Sequence, residues 1–80
     1  MKLLVVEDDL TLSTAICFEL DCNDYVTVAA YNCKKAYRLI QSEHFDLAIL
    51  DVNLPDGNGF DLCRTIKKLC PQIPVIFLSA

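Results

Sequence analysis

The chain has 80 residues, room for one domain and too few for two. Fifty-four per cent of them are hydrophobic, so a large share of the chain must lie in a core. Eleven acidic against seven basic residues leave a net charge of −4 with no basic stripe, which argues against a direct nucleic-acid partner.

The chain opens on "MKLLVVEDD", where four apolar residues follow one lysine before acids intervene. That run is far too short for a signal sequence or a membrane span, so a cytoplasmic chain with no membrane contact is expected. Residues 3–6, "LLVV", are continuously apolar, as in a strand covered on both faces. Glu7, Asp8 and Asp9 follow at once. A helix comes next, with Leu12, Ala15, Ile16, Phe18 or Glu19, and Leu20 as its apolar stripe and Asp9 or Thr11 as its cap. Residues 25–31, "YVTVAAY", partly alternate and suit a strand nearer a sheet edge. Asn32 caps a second helix with Ala36, Leu39 and Ile40 inward. A second apolar run, "LAIL" at 47–50, ends on Asp51. A tight loop follows, shaped by Pro55, Gly57 and Gly59. Asn58 caps a third helix whose stripe is Phe60, Leu62, Cys63, Ile66 and Leu69. Pro71 and Pro74 end that helix before the last strand, "VIFL" at 75–78. The five cysteines form no C-x-x-C pair and fit reduced thiols, with Cys17, Cys33 and Cys63 as small buried hydrophobes.

Strands alternating with helices predict an α/β fold of the doubly wound kind, with four parallel strands and right-handed crossovers. If the first and third strands are central neighbours with the second beyond the first, the chain reverses across the sheet between them. A binding crevice then opens at their carboxyl ends. Both acidic clusters fall there. Adjacent strands lie about 4.8 Å apart, so Glu7, Asp8, Asp9 and Asp51 would crowd one another and call for a hard cation such as Mg²⁺. Taken alone, "EDD" before a helix reads as a cap and Asp51 as a strand end; their convergence on one crevice is what favours a site. The backbone carbonyl of Asn53 is a candidate neutral ligand. Ser79, at the end of the last strand, would present a hydroxyl to the same crevice, although a strand-end serine is commonplace.

"LLVVEDD" at 3–9, "DLAILDVNLPDGNGFDLCRTI" at 46–66 and "PQIPVIFLSA" at 71–80 together resemble the receiver domain of bacterial two-component response regulators. The resemblance runs over the whole chain, 1–80, and implies a partial flavodoxin-like fold with parallel strands in the order 2-1-3-4. It implies Asp51 as the phosphoacceptor and a sensor histidine kinase as the phosphoryl donor. Mg²⁺ would be held by Asp8, Asp51 and the Asn53 carbonyl, with Glu7 acting through a water, and Ser79 would be the switch hydroxyl. The resemblance further implies a signalling domain that assists its own phosphorylation and dephosphorylation, not an enzyme acting on a separate substrate.

A full receiver continues through a fourth helix, a fifth strand bearing a lysine, and a fifth helix. These 80 residues stop one residue after Ser79, so the reading is of a receiver truncated after its fourth strand and impaired by the missing lysine. An uncovered fourth strand predicts a homo-oligomer formed through that edge or through exchanged elements. Two alternatives stand beside this reading. One is a receiver-like binding or dimerisation module that works without phosphorylation. The other is a magnesium phosphatase, whose motif needs an acid where this chain has Asn53.

Overall fold

The computed structural model describes residues 1–78. Its elements are β1 (Lys2–Val6), α1 (Leu10–Cys22), β2 (Val26–Ala30), α2 (Cys33–Ser42), β3 (Leu47–Asp51), β4 (Asn53–Leu54), β5 (Gly57–Asn58), α3 (Gly59–Leu69) and β6 (Val75–Leu78). The main sheet is parallel in the order β2-β1-β3-β6, which is the expected 2-1-3-4 arrangement. It differs from expectation in one respect: the segment after Asp51 is a two-stranded antiparallel hairpin, β4–β5, where a tight loop was expected.

The apolar runs of β1 and β3 are covered on both faces, whereas that of β6, at the sheet edge, leaves Ile76 and Phe77 exposed. Leu4, Val6, Ala30, Ala48 and Leu50 point to one side and form the main core with Ala36, Leu39 and Ile40 of α2 and Leu62 and Ile66 of α3. Leu3, Val5 and Ile49, one residue out of phase, are buried on the opposite side, as the alternation of a strand requires. The expected stripe of α2 is buried in full. In α3, Leu62 and Ile66 are buried and Cys63 half-buried, but Phe60 and Leu69 are exposed. Phe60 stacks instead on Phe77 of β6, with ring centroids 5.0 Å apart.

The expected stripe of α1 is met only in part, at Ile16 and Leu20. Ser13 is fully buried, and Ile16, Cys17 and Leu20 are half-buried, a spacing of i, i+3, i+4, i+7. Leu12, Ala15, Phe18 and Glu19 lie on the exposed side, Phe18 at 67%. The physical reason is that α1 carries apolar or small residues all round, so periodicity could not choose its inner face.

Caps follow short polar side chains. Asp9 Oδ1 accepts from Leu12 N, Asn32 Oδ1 from Lys35 N and Asn58 Oδ1 from Asp61 N. Asp9, and not Thr11, therefore caps α1. At the other end of α1, Asp24 adopts φ 68°, with Asp24 N donating to Asp21 O and Tyr25 N to Leu20 O, which is a Schellman closure. All five cysteines are free thiols. Cys17, Cys33 and Cys63 are half-buried and not fully buried as expected, and burial pushes the Cys33 thiol up to about 11. No helix among the described residues is long and apolar enough to cross a membrane.

Candidate functional site

β1 and β3 are hydrogen-bonded neighbours in parallel register, with Val6 opposite Leu50, so their carboxyl ends emerge side by side. One residue beyond each partner stand Glu7 and Asp51. Carboxylate oxygens of Glu7, Asp8 and Asp51 all lie within 4.8 Å of one another. The fourth acid expected there, Asp9, is not part of this group. Its side chain is committed to capping α1, and its backbone N–H donates to Glu7 Oε2 at 3.1 Å.

The three acids differ in environment. Glu7 is 4% exposed, Asp51 is half-buried and Asp8 faces solvent. Burial raises the Glu7 carboxyl above its ordinary range, and the nearby Asp8 and Asp51 push the same way against the Asp9 amide. Among the described residues no basic side chain forms an ion pair with Glu7, which sits beside two other carboxylates. Hard oxygen donors so placed suit a divalent cation of the Mg²⁺ type, which one or two carboxylates anchor while waters complete the shell. The donor set therefore fits Mg²⁺.

The hairpin borders the group. Asn53 N approaches Asp51 Oδ1 at 3.4 Å, and Gly59 N donates to Val52 O at 2.8 Å, seating the start of α3 on the end of β3. Gly59 is needed there for room: a Cβ would stand 2.2 Å from the Asp51 carbonyl oxygen. On the far side, Leu78 of β6 is the register partner of Asp51. Ser79, next in sequence, lies outside the described residues. A separate groove of about 440 Å³ runs between α2, the hairpin and α3, past Cys33, Tyr37, Asp56 and Leu62. It contains none of the three carboxylates.

Sequence reasoning missed Asp56. Its carboxylate accepts from Cys33 N and Lys34 N, 23 and 22 residues away. No local pattern signals so distant a partner.

The fold and site define a flavodoxin-like α/β domain with an acidic crevice at its topological switch point. Residues 3–80 match the model of the response regulator receiver domain. The transcriptional regulatory protein PmrA of Pectobacterium parmentieri is 41% identical over 80 residues, covering all of this chain and 36% of that protein. The non-phosphorylated HemR receiver domain from Leptospira biflexa superposes with a TM-score of 0.93 at 39% identity, covering 99% of this chain and 64% of that one. A CheY-like receiver domain protein from Methanospirillum hungatei gives 0.94 at 27% identity, covering 99% and 66%. The chain belongs to the response regulator receiver domain family, whose members are signalling modules. It spans about a third of the curated relative's length and about two thirds of the solved receiver chains.

Proposed function

We propose that this chain is the phosphoacceptor module of a two-component response regulator, accepting a phosphoryl group on Asp51 from a sensor histidine kinase. The observation that carries the reading is the meeting of Glu7, Asp8 and Asp51 at the ends of two adjacent parallel strands. Asp8, Asp51 and the Asn53 carbonyl would hold Mg²⁺, with Glu7 reaching it through a water. When bound, the cation would neutralise charge gathering on the phosphoryl oxygens.

The protein's own part is nucleophilic. A carboxylate oxygen of Asp51 attacks phosphorus, an O–P bond forms, and the P–N bond to the donor imidazole breaks with its electron pair leaving on nitrogen. Reset is hydrolysis: water attacks the phosphoryl phosphorus, the O–P bond breaks, and the Asp51 carboxylate and inorganic phosphate return. Ser79, adjacent in sequence to the residue opposite Asp51, is the proposed hydroxyl partner of the phosphoryl group. We further propose that these 80 residues alone are modified slowly, because the lysine on a full receiver's fifth strand, which the resemblance calls for to pair with the phosphoryl group, is not among them. The edge strand β6, with Ile76 52% exposed, supports self-association of this chain as a further proposal.

Incubation with Mg²⁺ and a small acyl phosphate, followed by intact mass, tests the central reading. The expected result is one phosphoryl adduct, accumulating slowly and absent from Asp51→Asn. An adduct that persists in Asp51→Asn overturns the assignment. So does the absence of both an adduct and any Mg²⁺-induced NMR shift at Glu7, Asp8 and Asp51. Light scattering tests the edge: a monomer at every concentration rules out association through β6.

A further inference from the structure

The hairpin that follows Asp51 is tied down from a distance. Asp56, in the turn between β4 and β5, accepts from Cys33 N at 2.7 Å with one carboxylate oxygen and from Lys34 N at 3.0 Å with the other. The next two donors of the first turn of α2 go to Asn32, Lys35 N to its side chain at 2.8 Å and Ala36 N to its carbonyl at 3.2 Å. The amino end of α2 thus has a local cap, Asn32, and a remote one, Asp56. Only the remote cap reaches the segment that carries Asn53. Those two amide bonds hold the Asp56 carboxyl below its ordinary range, as a carboxylate at the positive end of a helix should be. The other side of the hairpin meets the acidic crevice, through Asn53 N on Asp51 Oδ1 and Gly59 N on Val52 O. Asn53 and Asn58 pair across the ladder between these two anchors.

We propose that Asp56 is a positioning residue for the acidic crevice. By clamping the hairpin turn to the amino end of α2, it fixes where Asn53 and the Asp51 carboxylate stand, and so sets cation affinity without touching the cation. This rests on the reading of Glu7, Asp8 and Asp51 as a Mg²⁺ site. Linkage makes the coupling reciprocal, so Mg²⁺ at the crevice tightens the grip of Asp56 on the Cys33 and Lys34 amides.

The test is a Mg²⁺ titration of the 80-residue chain followed by NMR, comparing wild type, Asp56→Ala, Asp56→Asn and Asn32→Ala. Asn32→Ala removes the local cap from the same helix end and leaves the hairpin alone, so it controls for loss of α2 stability. Asp56→Ala is expected to weaken Mg²⁺ binding about tenfold, the low end for residues that orient ligands. Asp56→Asn, which keeps the shape and one acceptor, should fall between it and wild type. Asn32→Ala should stay within about twofold of wild type, as an uncoupled site would. Amide exchange at Cys33 and Lys34 should slow on adding Mg²⁺ in wild type and not in Asp56→Ala. Unchanged affinity in Asp56→Ala, or equal weakening in Asn32→Ala, overturns this role alone. A wild-type chain that binds no Mg²⁺ overturns the cation reading, and this role with it.

Discussion

Gly59→Ala puts the packing of α3 on the phosphoacceptor strand to a direct test. The added methyl would stand 2.2 Å from the Asp51 carbonyl oxygen, 3.0 Å from the Asp51 carbonyl carbon and 3.2 Å from Val52 Cα. Close carbon–oxygen contacts begin at about 3.3 Å, so a gap of about 1 Å must open. All three obstructing atoms are backbone, and the strand that bears them is hydrogen-bonded to β1 and β6. The start of α3 must therefore lift, stretching the Gly59 N to Val52 O bond, now 2.8 Å. Overpacking of this kind costs about 1–3 kcal/mol, and the lost hydrogen bond about 1 kcal/mol more. Alanine returns up to about 1 kcal/mol through its helix propensity. The net expectation is a loss of about 1–3 kcal/mol, measured as a lower urea midpoint at unchanged m-value, together with weaker Mg²⁺ binding because the end of β3 is displaced. An unfolding free energy equal to or above wild type would refute the reasoning, since it would mean that α3 can leave the strand at no cost.

Ser13 Oγ is fully buried in α1 and has no hydrogen-bond partner among the described residues, so Ser13→Ala should raise stability by about 1 kcal/mol, seen as a higher thermal midpoint. Asp24 holds φ 68° without a glycine, and Asp24→Gly should stabilise by up to about 1 kcal/mol in the same assay, provided the Schellman closure is kept. The Asp56 carboxyl lies below its ordinary 3.8 because the Cys33 and Lys34 amides bind its charged form. Its contribution to stability is therefore complete above about 3.8 and is lost as pH falls through the lower folded value, so the acid arm of a pH–stability profile should shrink in Asp56→Asn. Glu7→Gln removes a buried carboxylate that sits beside two others. Near neutral pH without Mg²⁺ it should unfold at higher urea than wild type, and it should gain less when Mg²⁺ is added.

Those elements that depend on local chemistry were legible in the sequence. The runs at 3–6 and 47–50 lie in β1 and β3 because a strand covered on both faces must be apolar throughout, whereas the run at 75–78 forms the edge strand β6, where Ile76 and Phe77 are exposed. Asn32 and Asn58 cap their helices because a short amide can reach an amide two or three residues on. Glu7, Asp8 and Asp51 were found through topology: parallel neighbours carry their carboxyl ends to the same edge. What stayed hidden was relational. Asp9 had two possible uses, and only the position of Leu12 N decides between them. The most buried position of α1 is Ser13, which no hydrophobic pattern would select. Gly57 and Gly59 suggest a tight loop, yet neither has positive φ, and Gly59 serves by leaving space.

Two of the hidden features, Gly59 and Asp56, hold the segment that follows Asp51, and that has a physical reason. A crevice that gathers three carboxylates within 4.8 Å opposes folding when no cation is present, because Glu7 must give up water without gaining a positive partner among the described residues. The backbone around it has to be held by contacts that do not themselves need the ion. Gly59 supplies one by letting α3 sit directly on the Asp51 carbonyl, and Asp56 supplies the other by fastening the hairpin to α2. Both anchors stand outside the cation's reach, so the like-charged oxygens stay close while the strand ends beneath them remain fixed. The double variant Gly59→Ala/Asp56→Ala should accordingly weaken Mg²⁺ binding by more than either single change. A cycle in which either single change already gives the full loss would show that the hairpin and α3 move as one body.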